Sequence, residues 1–138
     1  MTITLPPDYS PLKDGDFMSP KMQEYFRQKL MRWRSELVDE SNETLQSLQE
    51  GGIVEADIAD RASVETERSL ELRTRDRARK LIAKIDSALQ RIDEGAYGYC
   101  EETMEPIGIS RLEARPIATL SIEAQERHER MERTHRDD

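Results

Sequence analysis

From Pro20 onward, apolar residues return at helical steps. Met22, Phe26, Leu30, Trp33 and Leu37 follow one another by four, four, three and four, the spacing that keeps side chains on one helix face. Ser19-Pro20 stands just ahead of the run, a capping residue followed by the residue best suited to the first helical position. Leu45 and Leu48 carry the stripe to Gly51-Gly52, where it stops. A second run follows from 56 to 86, ADIADRASVETERSLELRTRDRARKLIAKID, with no Gly or Pro in 31 residues. Leu81 with Ile82, Ile85, Leu89 and Ile92 give it a heptad-like seam, and Gly95 is a suitable stop. Its middle, 68–80, is almost all charge around Leu70 and Leu72, so pairing there is weaker. Asp60 or Ser63 is the expected start, since either can cap a helix. A helix from Ala62 to Asp93 would be about 48 Å long. Two long helices joined by a short Gly-containing loop predict an antiparallel hairpin with a tip at 51–62.

The flanks follow other patterns. Residues 1–18 carry Pro6, Pro7, Pro11 and Gly15 and read as a flexible arm. Residues 96–120 break the helical period with Gly98, Pro106, Gly108 and Pro116, and predict a small knob. Tyr97, Tyr99, Met104, Ile107, Ile109, Leu112, Ile117 and Leu120 are its candidate core. Residues 121–138 predict a last, mostly polar helix, and no internal repeat stands out.

Composition agrees with extended helices. Charged residues make up 36% and hydrophobic residues 36% of the 138, with 5% aromatic, too much charge for a round, large-cored globule. A net charge of −8 disfavours DNA binding by counterion release. The one cysteine, Cys100, allows no intramolecular disulfide. The N-terminus lacks the layout of a secretory signal, and no apolar run is long enough to span a membrane. A cytoplasmic protein is expected.

Three groups could carry chemistry. At the tip, Glu55, Asp57 and Asp60 could hold magnesium through oxygen ligands, or could be a solvated loop with Asp60 as a cap. Arg73, Arg75, Arg77, Arg79, Lys80 and Lys84 share one helix, with Arg111 and Arg115 in the knob. The helical set could be a solvated face laced with partners such as Glu71–Arg75, whereas a Lys and an Arg from two elements, Lys84 and Arg115, suit a phosphate. Cys100, His128 and His135 are the only soft-metal ligands, too few for a structural zinc site. No nucleophile elbow, P-loop, zinc-protease or dinucleotide motif is present.

Several stretches together resemble the DksA family of bacterial transcription factors. They are ADRA at 59–62 before a long charged helix, SLELRTRDRARKLI at 69–82, GYC at 98–100, and IG and RLEARP within 107–120. The resemblance covers about residues 20–130. It implies a coiled-coil arm, a zinc-finger knob and a C-terminal helix. One departure stands out. The family's four knob cysteines, C-x2-C-x17-C-x2-C, correspond here to Cys100, Thr103, Ser121 and Ala124, so the finger is degenerate and no zinc is expected.

The resemblance also implies a mode of action. DksA proteins bind RNA polymerase rather than DNA. The coiled coil enters the secondary channel, beside the β′ subunit, and the tip approaches the catalytic region. They act with the alarmone ppGpp in the stringent response, lowering ribosomal RNA promoter output and raising some amino-acid promoters. The family's tip motif, DxxDxA, stands here as Asp57, Asp60 and Ala62. Its alarmone-contacting positions correspond to Lys84 and Arg115, and a further basic position on the last helix is Gln125.

The expectation is an all-α monomer: an antiparallel coiled-coil hairpin over 19–95, a degenerate, metal-free finger over 96–120, and a C-terminal helix. It is a regulator of transcription initiation and not an enzyme. Two alternatives stay open, a structural coiled-coil adaptor and a Gre-like transcript-cleavage factor with magnesium at its acidic tip.

Overall fold

A computed structural model describes residues 3–50 and 58–137. In chain order it contains a short 3-10 turn (Pro11–Lys13), α1 (Pro20–Glu50), α2 (Ile58–Glu94), α3 (Ile109–Ala114) and α4 (Ile122–Asp137). Among the described residues there is no strand, only an isolated antiparallel bridge between Tyr99 and Pro106. The fold is all-α, as the hydrophobic periodicity requires.

The helix ends follow from local chemistry. The Met22 N–H donates to Ser19 Oγ at 3.2 Å, and the Gln23 N–H donates to the Ser19 carbonyl at 2.9 Å. Ser19 is therefore the cap of α1, with Pro20 at its first position. At the far end of α2, Gly95 adopts φ +77°. The Gly95 and Ala96 N–H groups reach back to the Ile92 and Arg91 carbonyls at 3.2 and 2.9 Å, the paired closure of a Schellman motif. The start of α2 differs from expectation: it lies at Ile58, ahead of both Asp60 and Ser63. No Gly or Pro stands between 58 and 63 to stop a helix extending backward once it has formed. Asp60 then falls in the first turn, where the helix dipole favours acids.

The chain divides into two compact units, residues 1–30 with 87–138, and residues 31–86. In the second unit α1 and α2 run antiparallel. Arg34 pairs with Asp86 at 2.7 Å and Ser47 Oγ donates to Glu71 at 3.3 Å, so one partner climbs the chain as the other descends. The α2 seam runs through Val64, Arg68, Glu71, Arg75, Ala78, Ile82 and Ile85, all buried or half-buried. Its steps alternate between four and three, as a heptad seam demands. Leu70 and Leu72 lie off the seam, 54% and 49% exposed. Polar Arg68, Glu71 and Arg75 occupy the seam at that level.

The first unit holds the larger core. Its buried residues include Met18, Met22, Phe26 and Leu30, and Ala88, Ile92, Tyr97, Cys100, Ile107, Leu112, Ala118 and Ala124. Phe26 lies against Tyr97, with ring centroids 5.6 Å apart. Residues 3–18, expected as a flexible arm, make side-chain contacts within this unit. Pro11 and Met18 are buried, Phe17 meets Tyr99 edge-on, and Tyr9 packs on Tyr25. Asp14 accepts from Tyr9 Oη at 2.8 Å, from Ser19 Oγ at 2.6 Å and from the Asp16 N–H at 3.0 Å.

Candidate functional site

The candidate residues fall on three elements. Asp57 and Glu55 lie outside the described residues, as does the side chain of Asp60. Ala62 is on the second turn of α2 and exposed. Farther along α2, Arg73, Arg77, Arg79, Lys80 and Lys84 are exposed. Among the described residues none of these five side chains has an ion pair. The pair Glu71–Arg75 does not form, because Glu71 turns to Ser47 across the seam. These cations therefore stand open to a partner.

Arg115 is presented by the knob. It ends α3, with its N–H on the Arg111 carbonyl at 2.7 Å, and its carbonyl accepts the Ala118 N–H at 3.0 Å. Buried Tyr97 donates to the Pro116 carbonyl at 2.8 Å, and burial pushes its phenol far above the ordinary range. Lys29 Nζ fastens α3 to α1 through the Glu113 carbonyl at 2.9 Å. The backbone under Arg115 is thus pinned from both sides while its side chain stays exposed. Lys84 belongs to the 31–86 unit and Arg115 to the other. Gln125 is half-buried on the first turn of α4 and donates to Glu129 at 3.3 Å.

The model for "DnaK suppressor protein DksA, N-terminal domain" matches residues 22–92, more than half of the chain. The chain belongs to the DksA family. A second model, "Prokaryotic dksA/traR C4-type zinc finger", matches residues 95–130. The chain is 63% identical to the RNA polymerase-binding transcription factor DksA of Caulobacter vibrioides, over 95% of this chain and 92% of that one. It is 44% identical to the protein of the same name from Escherichia coli K12, over 78% and 72%. The solved structure of transcription factor DksA2 from Pseudomonas aeruginosa superposes with a TM-score of 0.80 at 45% identity, covering 87% of this chain and 92% of that one.

A C4-type finger implies zinc held by four sulfurs, and the residues of this DksA-family knob do not fit it. Cys100 is buried. Burial pushes its thiol up, but hydrogen bonds from the Ser121 backbone and from Thr103 and Glu102 outweigh it and bring it down to about 6. Thr103 is exposed, and its Oγ1 accepts the Glu105 N–H at 3.3 Å. Ser121 Oγ accepts the Ala124 N–H at 3.2 Å, so Ser121 serves as the cap of α4. The side chain of Ala124 offers no metal ligand and is buried as core. Among the described residues no three His, Cys, Asp or Glu side chains are placed to hold a metal.

Sequence reasoning missed the contacts that tie the knob together. Glu101 N–H donates to the Thr119 carbonyl at 2.9 Å, and Arg91 pairs with Glu101 at 3.4 Å. His128, weighed in the sequence only as a soft-metal ligand, hydrogen bonds to Glu102, which also pairs with Arg127 at 3.5 Å. The His128 hydrogen bond is the chief cause holding the Glu102 carboxyl below its ordinary range. The signal was faint, an acid between two former ligand positions and a His one helical turn beyond a third.

Proposed function

We propose that this protein binds RNA polymerase directly and regulates transcription initiation by contact rather than catalysis. The observation that carries this reading is the 63% identity, over 95% of the chain, to a relative named as an RNA polymerase-binding transcription factor. The exposed cations Arg73, Arg77, Arg79, Lys80 and Lys84 of α2, without an ion pair among the described residues, on a chain of net charge −8, support it. They offer a localised basic strip to an acidic protein surface, where a uniformly basic protein would bind nucleic acid at large.

In this reading the paired helices enter the secondary channel beside the β′ subunit, and Asp57, Asp60 and Ala62 approach the catalytic region. Lys84 and Arg115 bind ppGpp together with polymerase. Arg115 suits that role because its side chain is exposed above a pinned backbone, and neither residue has an acid immediately beside it in sequence. The knob works without zinc, in the cytoplasm. Open promoter complexes with short lifetimes are destabilised most, so ribosomal RNA promoters fall and some amino-acid promoters rise.

The test is in vitro transcription from a ribosomal promoter, with and without ppGpp. Arg115→Ala removes a charge-assisted contact worth about 1.5–3 kcal/mol. Basal inhibition should persist while the ppGpp response falls. A variant that responds like the parent removes Arg115 from the site. Stimulated RNA cleavage by a stalled polymerase, without promoter inhibition, would replace the whole reading with the Gre-like one.

A further inference from the structure

Past its first turn, α4 has almost nothing to lean on. Every residue from Glu126 to His135 is exposed, and its larger apolar side chains, Ile122 and Met131, are exposed too. A helix of 16 residues without a buried face is marginal in water. Its root is secured by the Ser121 cap and by buried Ala124. Beyond the root, among the described residues, the hydrogen bonds and ion pairs from α4 side chains to the rest of the chain all end on Glu102. Its carboxylate lies between two donors from α4, Nη2 of Arg127 at 3.5 Å and Nε2 of His128.

We propose that Glu102 is a carboxylate clamp that holds α4 on the knob, tying the two elements that a four-cysteine metal site would otherwise tie. The topology makes the substitution direct. A metal bound at positions 100, 103, 121 and 124 joins the 100–103 turn to the first turn of the last helix. Glu102 projects from that same turn and reaches the next turn of that same helix. A metal provides a hold indifferent to salt and sensitive to chelators. A charge clamp between partly exposed groups is the reverse: screened by salt and indifferent to chelators. A single exposed ion pair contributes little. Here one carboxylate serves two partners, which restricts both helix and turn.

The experiment is amide hydrogen exchange on the full chain, with and without a strong chelator, at low and high salt. Glu102→Gln should speed exchange over 126–135 by about three- to tenfold, the size of one or two such contacts. Amides at 22–30 in α1 should not change. In 1 M salt the parent should approach the variant, and chelator should leave the parent unaltered. Pairing Glu102→Arg with Arg127→Glu should restore part of the protection. Unchanged exchange in Glu102→Gln overturns the proposal. So does an equal acceleration in α1, which would mean general destabilisation, and so does acceleration of the parent by chelator, which would mean a metal. The measurement needs no polymerase, so its failure is separable from failure of the transcription assay.

Discussion

Gly98 and Met104 sit a few residues apart in the knob with similar backbones and opposite needs. Gly98 has φ +92°, and a Cβ placed there would lie 2.9 Å from Cε of Met18, a buried side chain. Gly98→Ala combines a left-handed backbone strain of about 1–2 kcal/mol with overpacking of about 1–3 kcal/mol. Its urea midpoint should fall by the equivalent of about 2–5 kcal/mol at an unchanged slope. Met104 carries φ +63° while 76% exposed, so its strain secures no packing. Met104→Gly should raise stability by about 0.5–1 kcal/mol, the strain less the added freedom of the unfolded chain. Gly98 was legible as a break in the helical period. That it marks the place where Met18 presses on the knob was not, because the two are 80 positions apart.

Asp14 gives the same scale a pH dependence. Three donors, first Ser19, then the Asp16 N–H and Tyr9, hold its carboxyl below the ordinary value. The unfolded chain binds a proton at Asp14 near pH 3.9 and the folded chain only at lower pH. Its contribution is therefore complete above that unfolded value and is lost as pH falls through the depressed one. Between about pH 5 and 3, Asp14→Asn should show a flatter loss of stability than the parent, measured by chemical denaturation at each pH.

At the scale of elements, the seam decides which leucines and isoleucines matter. Ile85 is fully buried in its unit, whereas Leu70 is 54% exposed. Ile85→Ala should cost about 2–5 kcal/mol and Leu70→Ala under about 0.5 kcal/mol, read from the same denaturation curves. Hydrophobicity alone ranks the two alike. Period separates them, since Ala78, Ile82 and Ile85 continue a four-three rhythm that Leu70 does not share. The α1 stripe, its Ser19 cap and the Gly95 stop were all legible because local chemistry sets them. The polar part of the seam was not, because Arg68, Glu71 and Arg75 look like surface in sequence. Nor were the Tyr97–Pro116 and Lys29–Glu113 ties, which join residues far apart along the chain. Candidate residues on α2 and in the knob were legible as types, while the lack of ion pairs, among the described residues, at exposed Arg73, Arg77, Arg79, Lys80 and Lys84 came only with the structure.

At the scale of the whole molecule, folding, docking and output should separate, and the tip is where they can be pulled apart. Asp57 is a polar residue of the tip, and among the described residues the buried cores are built from Met22, Phe26, Leu30 and their neighbours and from Leu37, Ala78 and Ile85. A change at Asp57 should therefore move stability by no more than about 0.5 kcal/mol. Affinity for polymerase should come mostly from the broad surfaces of the helices and knob, because one carboxylate is a small part of an interface. Output is governed differently. A contact made in only one state of polymerase shifts the balance between states by its whole differential energy. At about 1.4–2.8 kcal/mol that is a ten- to hundredfold shift. Asp57→Asn should keep the thermal midpoint and the polymerase dissociation constant yet lose most promoter inhibition. Ala62→Thr should behave alike, since Ala62 is exposed on α2 and its small size permits close approach to the target. All three quantities belong on the same preparations. If inhibition falls only in step with binding or folding, the tip contributes surface alone, and the adaptor reading of this hairpin gains the ground that the regulatory one loses.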